Sequence, residues 1–201
     1  MVTSNDLLNL DDESESCEHE KDDFKNKTHI TFLNTNARSL CPKIDWLIDS
    51  FNELDASFSV ITETWLSDGD HLQRDIADLE NGAGLAMLCR NRPPNSRGVS
   101  HGGVAVIYRK TAMNLKEIDI GNSDGFEILG VMGNIRGHAR KILILAVYMP
   151  LNYIVKKGKD CLSFITDLVL QLKRTYKDPY LVIAGDLNQW DVGGALQDYR
   201  P

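Results

Sequence analysis

The sequence predicts an α/β sandwich with a mixed sheet rather than a purely doubly wound fold. From Thr28 onward, short apolar runs alternate with apolar residues at helical spacing, which indicates strands interleaved with helices. Two apolar runs, 126–132 and 142–148, are separated by a turn-like segment at 133–138, which favours an antiparallel hairpin. A chain of 201 residues with 42% apolar residues suits one domain and excludes collagen, coiled-coil and wholly disordered classes.

The first half of the domain is predicted to contain four strands and one long helix. The predicted strands are 30–33, 58–61, 85–88 and 104–108. The helix follows Pro42, a residue that the first turn of a helix tolerates well. Its apolar face consists of Ile44, Leu47, Ile48, Phe51 and Leu54. We therefore expect this helix to bury one face.

The remaining elements follow from the same patterns. Leu72, Ile76 and Leu79 indicate a brief helix before a Gly-rich turn at 81–84, and the prolines and arginines of 90–100 are typical of an exposed loop. Apolar spacing predicts a helix over 161–172, and 181–184 reads as a final strand.

Negative charge is concentrated at the start of the chain. Residues 1–27 contain nine acids and three lysines, which account for six of the seven net negative charges. This segment is polar and shows no sustained apolar period, so it cannot bury enough surface to offset its ordering entropy. The expected organisation is a disordered acidic tail over 1–27 followed by one domain over 28–201, with the tail acting as a solvated leader rather than an interaction segment.

The cysteines and the hydropathy of the chain indicate the cellular compartment in which it is expected to fold. Four cysteines form no C-x-x-C pair, so we expect free thiols in a reducing compartment rather than a zinc ribbon or a disulfide scaffold. No stretch approaches the roughly 18 consecutive apolar residues of a membrane span, and no signal-peptide pattern opens the sequence. These features predict an intracellular protein without a membrane partner.

Polar residues stand at the ends of four predicted strands. They are Asn36, Glu63, Tyr148, Asp186 and Asn188. Taken singly, each has a structural explanation: a turn residue, a helix-start acid, a half-buried ring, or an Asx turn. Together they offer oxygen ligands for a hard divalent cation and donors for a phosphoryl oxygen. This set suits Mg²⁺-assisted phosphodiester hydrolysis, in which Mg²⁺ takes only one or two protein carboxylates.

Five motifs resemble those of the endonuclease/exonuclease/phosphatase superfamily in order and spacing. They are 33–40 (LNTNARSL), 61–66 (ITETWL), 102–106 (GGVAV), 146–150 (AVYMP) and 183–188 (IAGDLN). More narrowly, the chain resembles the apurinic-endonuclease-like domain that precedes the reverse transcriptase in non-LTR (LINE-type) retrotransposons. The resemblance implies a two-sheet, DNase I-like α/β sandwich that nicks DNA to prime reverse transcription. It also implies a nuclear location and a downstream reverse-transcriptase domain.

The resemblance also implies a role for each strand-end residue. Glu63 would bind Mg²⁺, or Mn²⁺ in its place, with Asn36 near the metal and the scissile phosphate. Tyr148 would contact the phosphate, and Asp186 would orient the attacking water. Asn188 would support the metal or the transition state.

Two departures from the family pattern stand out. Leu151 separates the Tyr-x-Pro motif from Asn152, which weakens the assignment of Asn152 to substrate binding. The Ser-Asp-His motif that closes the family's domain is absent from the printed residues, and His101 beside Ser100 is a poor substitute. The resemblance therefore implies a domain that is incomplete at its C-terminus and lacks the last strands. A same-fold phosphatase or exonuclease, and an inactive remnant that acts as a binding domain, stay open as alternatives.

Basic residues supply the predicted DNA contacts. Arg90, Arg92 and Arg97 lie in the Pro-containing loop and could bind phosphates, although a solvated loop has the same composition. The tryptophans 46, 65 and 190 are expected to pack in the core or at its rim rather than to stack on bases, with Trp190 the best exception because it follows the last motif.

The acidic segment generates the first test. Limited proteolysis should remove residues 1–27 first and leave a stable core that begins near Thr28, because an uncompacted segment is cut fastest. N-terminal sequencing of the resistant fragment checks this. A protected N-terminus would overturn the expected domain boundary.

Overall fold

A computed structural model describes residues 29–67, 84–93, 101–121, 123 and 125–188, with the backbone alone described for 151–160. In chain order its elements are β1 (Phe32–Asn36), a 3₁₀ turn (Cys41–Lys43), α1 (Ile44–Glu53), β2 (Phe58–Thr62), β3 (Leu85–Arg90), β4 (Val104–Arg109), β5 (Met113–Glu117), β6 (Glu127–Ile135), β7 (Lys141–Tyr148), α2 (Leu151–Thr175) and β8 (Tyr180–Asp186). The predicted acidic tail and the predicted helix at 72–79 lie outside the described residues.

The strands form two mixed sheets of four strands each. One sheet has the order β1-β2-β4-β3 and the other β5-β6-β7-β8. In each sheet one edge pair is parallel, β1 with β2 and β7 with β8, and the other pairs are antiparallel. The predicted two-sheet α/β sandwich is therefore confirmed, as is the hairpin between β6 and β7.

The two sheets face each other across an apolar core. β2 and β4 contribute Phe58, Val60 and Val106, which pack towards Val131 and Ile144 of the second sheet. These five side chains are fully buried because alternate residues of a strand point to the same face. The core fixes how the strand ends of the two sheets meet.

Each sheet is covered on its outer face by one helix. α1 buries Leu47 and Phe51 against Ile61 and other residues of the first sheet. α2 packs Cys161 and Ile165 on the second sheet. Burial raises the pKa of the Cys161 thiol to about 12, so this cysteine is an inert core residue. Within the described residues, neither helix combines the length and the apolar character needed for a membrane crossing.

The structure corrects two predicted boundaries and adds one strand that was not predicted. α2 begins at Leu151, directly after its N-cap Pro150 and ten residues before the predicted start at 161. The charged and glycine residues of 156–160 (KKGKD) interrupt the apolar spacing between its two ends. The first strand occupies Phe32–Asn36 rather than 30–33. β5 was missed, since Met113 and Leu115 alternate with exposed polar residues and its two buried side chains are too few to show a period.

Both parallel pairs end at the candidate functional residues. The register pairs Asn36 with Thr62, the residue before Glu63. In the second sheet it pairs Tyr148 with Asp186. Because parallel neighbours end at the same edge of a sheet, each pair delivers two polar residues to one edge.

Replacing Phe51 with Ala should lower the free energy of unfolding by about 3–5 kcal/mol, because the ring is 0% exposed and its removal leaves a cavity. Leu54→Ala is the matched control at the end of the same helix. Leu54 is 52% exposed, so its truncation should cost less than about 1 kcal/mol. Urea unfolding of the two variants measures both values. Equal losses would contradict the packing of α1 described above.

Candidate active site

Four polar side chains from both sheets meet at one edge of the sandwich. Asn36 ends β1, Glu63 follows β2, Tyr148 ends β7 and Asp186 ends β8. Hydrogen bonds connect all four side chains. The structure thus brings together residues that are up to 150 positions apart in the sequence.

The Asn36 side-chain amide joins two carboxylates. Its amino nitrogen Nδ2 donates to Glu63 Oε1 at 2.9 Å and to Asp186 Oδ2 at 2.6 Å. The side-chain oxygen of Asn36, Oδ1, accepts a hydrogen bond from the backbone N–H of Arg38 at 3.2 Å. The two hydrogens of one neutral amide therefore satisfy two negative groups that would otherwise repel each other.

Glu63 adopts a left-handed backbone conformation, with φ of 53°. Such a conformation is costly for a non-glycine residue and persists only where its surroundings impose it. Here the Glu63 carbonyl accepts the N–H of Ser39 at 2.9 Å, and the next residue, Thr64, accepts the N–H of Leu40 at 3.0 Å. The chain that leaves β1 therefore fixes the turn that directs Glu63 into the site.

Tyr148 donates its hydroxyl hydrogen to Glu63 Oε1 at 3.0 Å. Burial raises the pKa of the Tyr148 phenol well above its usual range, and the hydrogen bond to the Glu63 carboxylate and its charge raise it further. The Arg92 guanidinium, 5.7 Å from the ring centroid, acts in the opposite direction. At neutral pH the phenol is therefore protonated and serves as a donor.

Asp186 is oriented by donors on both of its oxygens. Its Oδ1 accepts the backbone N–H of Asn188 at 2.8 Å, and its Oδ2 accepts the Asn36 amide. Asn188 has a φ of 53°, and its side-chain amide donates to the carbonyl of Met149. These contacts form an Asx-type turn that fixes the carboxylate in one orientation.

Gly185 lets β8 approach β7 closely just before Asp186. A Cβ at this position would lie 1.8 Å from the carbonyl oxygen of Val147, and the φ of Gly185 is 142°. Any side chain here would push β8 away from β7. The Gly-Asp pair of the last motif is therefore required for the position of Asp186.

A second group of contacts borders the site. Glu127, at the start of β6, forms an ion pair with Arg92 and accepts the backbone N–H of Gly103. Burial raises the pKa of the Glu127 carboxyl, while Arg92 and the Gly103 N–H lower it and the charge of Glu63 raises it. Arg92 thus lies between Glu127 and the ring of Tyr148, with part of its side chain exposed.

The Gly102–Gly103 loop connects this group to Glu63. Trp65 donates its N–H to the Gly102 carbonyl at 2.8 Å, and Thr64 donates to the Gly103 carbonyl at 3.3 Å. A Cβ on Gly102 would lie 2.5 Å from Glu127 Oε1 and 2.8 Å from the Arg92 guanidinium. The two glycines therefore let the loop pass between the ion pair and the segment after Glu63.

The remaining predicted residues are placed differently. Arg90 donates to the Ile128 carbonyl at 3.1 Å and pairs with Glu117 at 3.3 Å, so its guanidinium links the two sheets. His101 contacts Trp65 edge-on, with ring centroids 4.6 Å apart. Arg97 and the side chain of Asn152 lie outside the described residues.

Sequence reasoning missed Glu127. It lies in the apolar run that predicted the strand at 126–132, and a lone acid in such a run was a usable signal, because a buried carboxylate requires a cation or N–H donors. Glu127 does not share the feature of the predicted residues, which follow the carboxyl ends of strands. Glu127 lies at the amino end of β6, directly across from Tyr148.

The oxygen atoms of the site fit a hard divalent cation better than a metal that needs a cluster of ligands. Among the described residues, no three His, Cys, Asp or Glu side chains come together. Tyr148 and Asn36 both donate to Oε1 of Glu63, whereas no described residue donates to its Oε2. Mg²⁺ typically takes one or two protein carboxylates and keeps several waters, and Mn²⁺ also prefers such ligands. The residues present therefore fit such an ion through Oε2 of Glu63.

Comparisons with known proteins show the fold. No protein-family model matches the chain, and no curated protein matches its sequence. Among solved structures, the endonuclease domain of TRAS1, a telomere-specific non-LTR retrotransposon, is similar with a TM-score of 0.53 and 11% identity, over 84% of this chain and 71% of that one. An endonuclease/exonuclease/phosphatase family protein from Leptotrichia buccalis has a TM-score of 0.57 and 15% identity, over 85% and 72%.

A third similar structure contains nucleic acid. D. rerio TDP2 complexed with a single-strand DNA product has a TM-score of 0.56 and 12% identity, over 84% of this chain and 65% of that one. The chain therefore has the endonuclease/exonuclease/phosphatase fold that its motifs predicted, and its structural neighbours include a retrotransposon endonuclease domain.

Gly103→Ala should lower the free energy of unfolding by about 2 kcal/mol more than Gly121→Ala. Both glycines have positive φ, 87° and 74°, so both alanines carry similar backbone strain. A Cβ on Gly103 would lie 2.3 Å from Thr64 Oγ1, whereas nothing lies within 4 Å of a Cβ on Gly121. Urea unfolding measures the difference. Equal destabilisation would contradict the close contact between this loop and the segment after Glu63.

Proposed function

We propose that this domain is a metal-dependent phosphodiesterase that nicks DNA, and that it belongs to a retrotransposon polyprotein in which it precedes a reverse transcriptase. One observation carries the proposal: Glu63 and Asp186, from different sheets, are joined by the Asn36 amide beside a protonated Tyr148. The likeness to the TRAS1 endonuclease domain supports the retrotransposon context, and the DNA-bound TDP2 structure supports DNA as substrate. A retroelement enzyme of this kind acts in the nucleus.

The proposed cation is Mg²⁺, with Mn²⁺ as a substitute, and Glu63 is its principal protein ligand. When bound, the ion would neutralise charge on the phosphoryl oxygens and on the leaving oxygen. Asn36 was expected near the metal as well. Since both hydrogens of its amino group bond to the carboxylates, we assign Asn36 to positioning them rather than to ligation.

Asp186 is the proposed residue that orients the attacking water and accepts its proton. The Asn188 N–H and the Asn36 amide fix this carboxylate, so no reorientation is needed when water binds. The side-chain amide of Asn188 is engaged by the Met149 carbonyl, and this favours a supporting role for Asn188. Tyr148 stays protonated and donates to a phosphoryl oxygen or to Glu63.

Substrate contacts outside this cluster are proposed for Arg92, Arg97 and Asn152. Arg92 borders the cluster and is partly exposed, so it can contact a backbone phosphate while Glu127 fixes its position. Arg90 is a weaker candidate, because its guanidinium bonds to the second sheet.

The proposed roles predict separable defects. Asp186→Asn should keep Mg²⁺ binding and lower Mg²⁺-dependent nicking of supercoiled DNA by a factor on the order of 10² or more, because it removes the group that accepts the proton. Glu63→Gln should weaken Mg²⁺ binding by at least about tenfold, measured by calorimetry, and abolish nicking. Removal of the metal with EDTA should likewise abolish nicking by the unaltered protein.

Matched controls are available on α1. Asp49→Asn and Glu53→Gln remove exposed acids of the same types and should change neither Mg²⁺ binding nor nicking. Equal Mg²⁺ affinity in the Glu63→Gln and Glu53→Gln proteins would show that Glu63 is not the ligand.

The products distinguish the alternative functions. Release of nucleotides or phosphate from DNA ends, without nicking of closed circles, would favour the same-fold exonuclease or phosphatase. DNA binding without any hydrolysis would favour the binding-domain alternative.

A further inference from the structure

A hollow with a volume of about 300 Å³ opens beside the candidate active site. It lies between the end of β1 and the start of α1. Its lining residues are Thr35, Asn36, Ala37, Leu40, Lys43, Trp46 and Leu47. Its size is at the lower end of the range for small-ligand sites. Because Asn36 lines the hollow and its side chain also bonds to both carboxylates, the hollow and the candidate active site share one residue.

Trp46 is the unusual residue of this hollow. α1 buries Leu47 and Phe51, whereas the neighbouring indole of Trp46 is 58% exposed. Trp46 is therefore not part of the core, and its exposed apolar ring forms one wall of the hollow. Large exposed aromatic side chains beside polar sites are typical of ligand contact.

The other walls combine apolar and cationic chemistry. Ala37, Leu40 and Leu47 are buried and form an apolar floor. The exposed Lys43 donates from its ammonium to the carbonyl of Ala37 and, at 3.4 Å, to that of Arg38, so a positive charge is fixed at the rim. An apolar ring, an apolar floor and a cation at the rim fit a flat base attached to an anionic backbone.

We infer that this hollow is a nucleobase subsite, in which a base next to the scissile phosphate stacks on Trp46 while Lys43 contacts the adjoining backbone phosphate. The inference rests on the proposed function and extends it to the form of the substrate. A base inside a duplex is stacked on both faces and cannot reach the indole. The occupant is therefore an unpaired base, from single-stranded DNA or from a nucleotide turned out of the helix.

The contribution of the subsite can be measured without catalysis. Binding of short, fluorescein-labelled single-stranded oligodeoxynucleotides is followed by anisotropy in EDTA. The complete oligonucleotide has a base at every position. In the abasic series, the nucleotide at one position at a time is replaced by an abasic unit. Trp46→Ala should weaken binding of the complete oligonucleotide by roughly 5- to 100-fold, the usual range for the loss of one stacked base. Trp46→Phe keeps an aromatic ring and should therefore retain most of the affinity that Trp46→Ala loses.

The controls separate stacking from general damage. Leu54→Ala removes a similarly exposed apolar side chain outside the hollow and should leave binding unchanged. Lys43→Gln should weaken binding of complete and abasic oligonucleotides alike and should reduce the salt dependence of binding, because it removes a phosphate contact. Thermal unfolding of each variant checks that the fold is retained.

The decisive comparison uses the abasic series. At one position, removal of the base should weaken binding to the unaltered protein and have no effect on binding to Trp46→Ala, as expected for two groups that contact each other. The subsite is overturned if the abasic unit weakens binding to the unaltered protein equally at every position, or if Trp46→Ala binds the complete oligonucleotide as tightly as the unaltered protein does. An unchanged affinity for DNA in every variant would leave the hollow to an apolar side chain of a protein partner and would also overturn it.

Failure of the subsite is distinguishable from failure of the proposed function. If the unaltered protein binds no Mg²⁺ but Trp46 still discriminates the abasic oligonucleotide, the phosphodiesterase proposal fails and the subsite stands. If Mg²⁺ binding depends on Glu63 while Trp46→Ala leaves binding of the oligonucleotides unchanged, the subsite fails and the phosphodiesterase proposal stands. The Glu63→Gln protein should retain the Trp46-dependent discrimination.

Discussion

The candidate site depends on one neutral amide placed between two carboxylates. At about 4 Å, two like charges near a protein surface repel by about 4 kcal/mol, so Glu63 and Asp186 would separate without a donor between them. The Asn36 amino group bonds to both. A second asparagine of β1, Asn34, donates to the Gly185 carbonyl at 3.0 Å. Two amides on a single strand therefore join the edge strands of the two sheets at the point where the carboxylates meet.

Strained backbone is concentrated around this junction. Seven described non-glycine residues have positive φ, and five of them lie in the segments that carry or support the site: Arg38, Ser39, Glu63, Trp65 and Asn188. Each such residue costs on the order of 1–3 kcal/mol unless its surroundings compensate. Here backbone hydrogen bonds from Ser39, Leu40, Thr64 and Trp65 provide the compensation. The turns at the ends of β1 and β2 therefore support each other, and neither is expected to keep its shape alone.

The sequence was most informative where local patterns and burial agree. The helical spacing of Leu47 and Phe51 predicted α1 because both side chains belong to one buried face. β5 was not predictable in the same way, since Met113 and Leu115 are buried by packing in the core between the sheets, which their local sequence does not show. Strand-end polarity found Asn36, Glu63, Tyr148 and Asp186, but it could not show that Asn36 directs its amino group at both carboxylates. That orientation depends on side chains up to 150 positions away.

The charges around the candidate site support the proposal that a cation assists it. The Asn36 amide joins Glu63 and Asp186, and the charge of Glu63 also raises the pKa of the nearby Glu127, which pairs with Arg92. Arg92 is already paired with Glu127, so it cannot neutralise a phosphodiester and the other two carboxylates as well. A phosphate that approached Asp186 closely enough for an oriented water to attack would meet uncompensated negative charge. A divalent ion on Glu63 would reverse that local charge, as bound cations do at phosphate sites. Lys43, fixed on the carbonyls of Ala37 and Arg38, adds positive charge beside Asn36. Under the proposed function, this charge would favour a DNA strand that runs from the carboxylates towards Trp46.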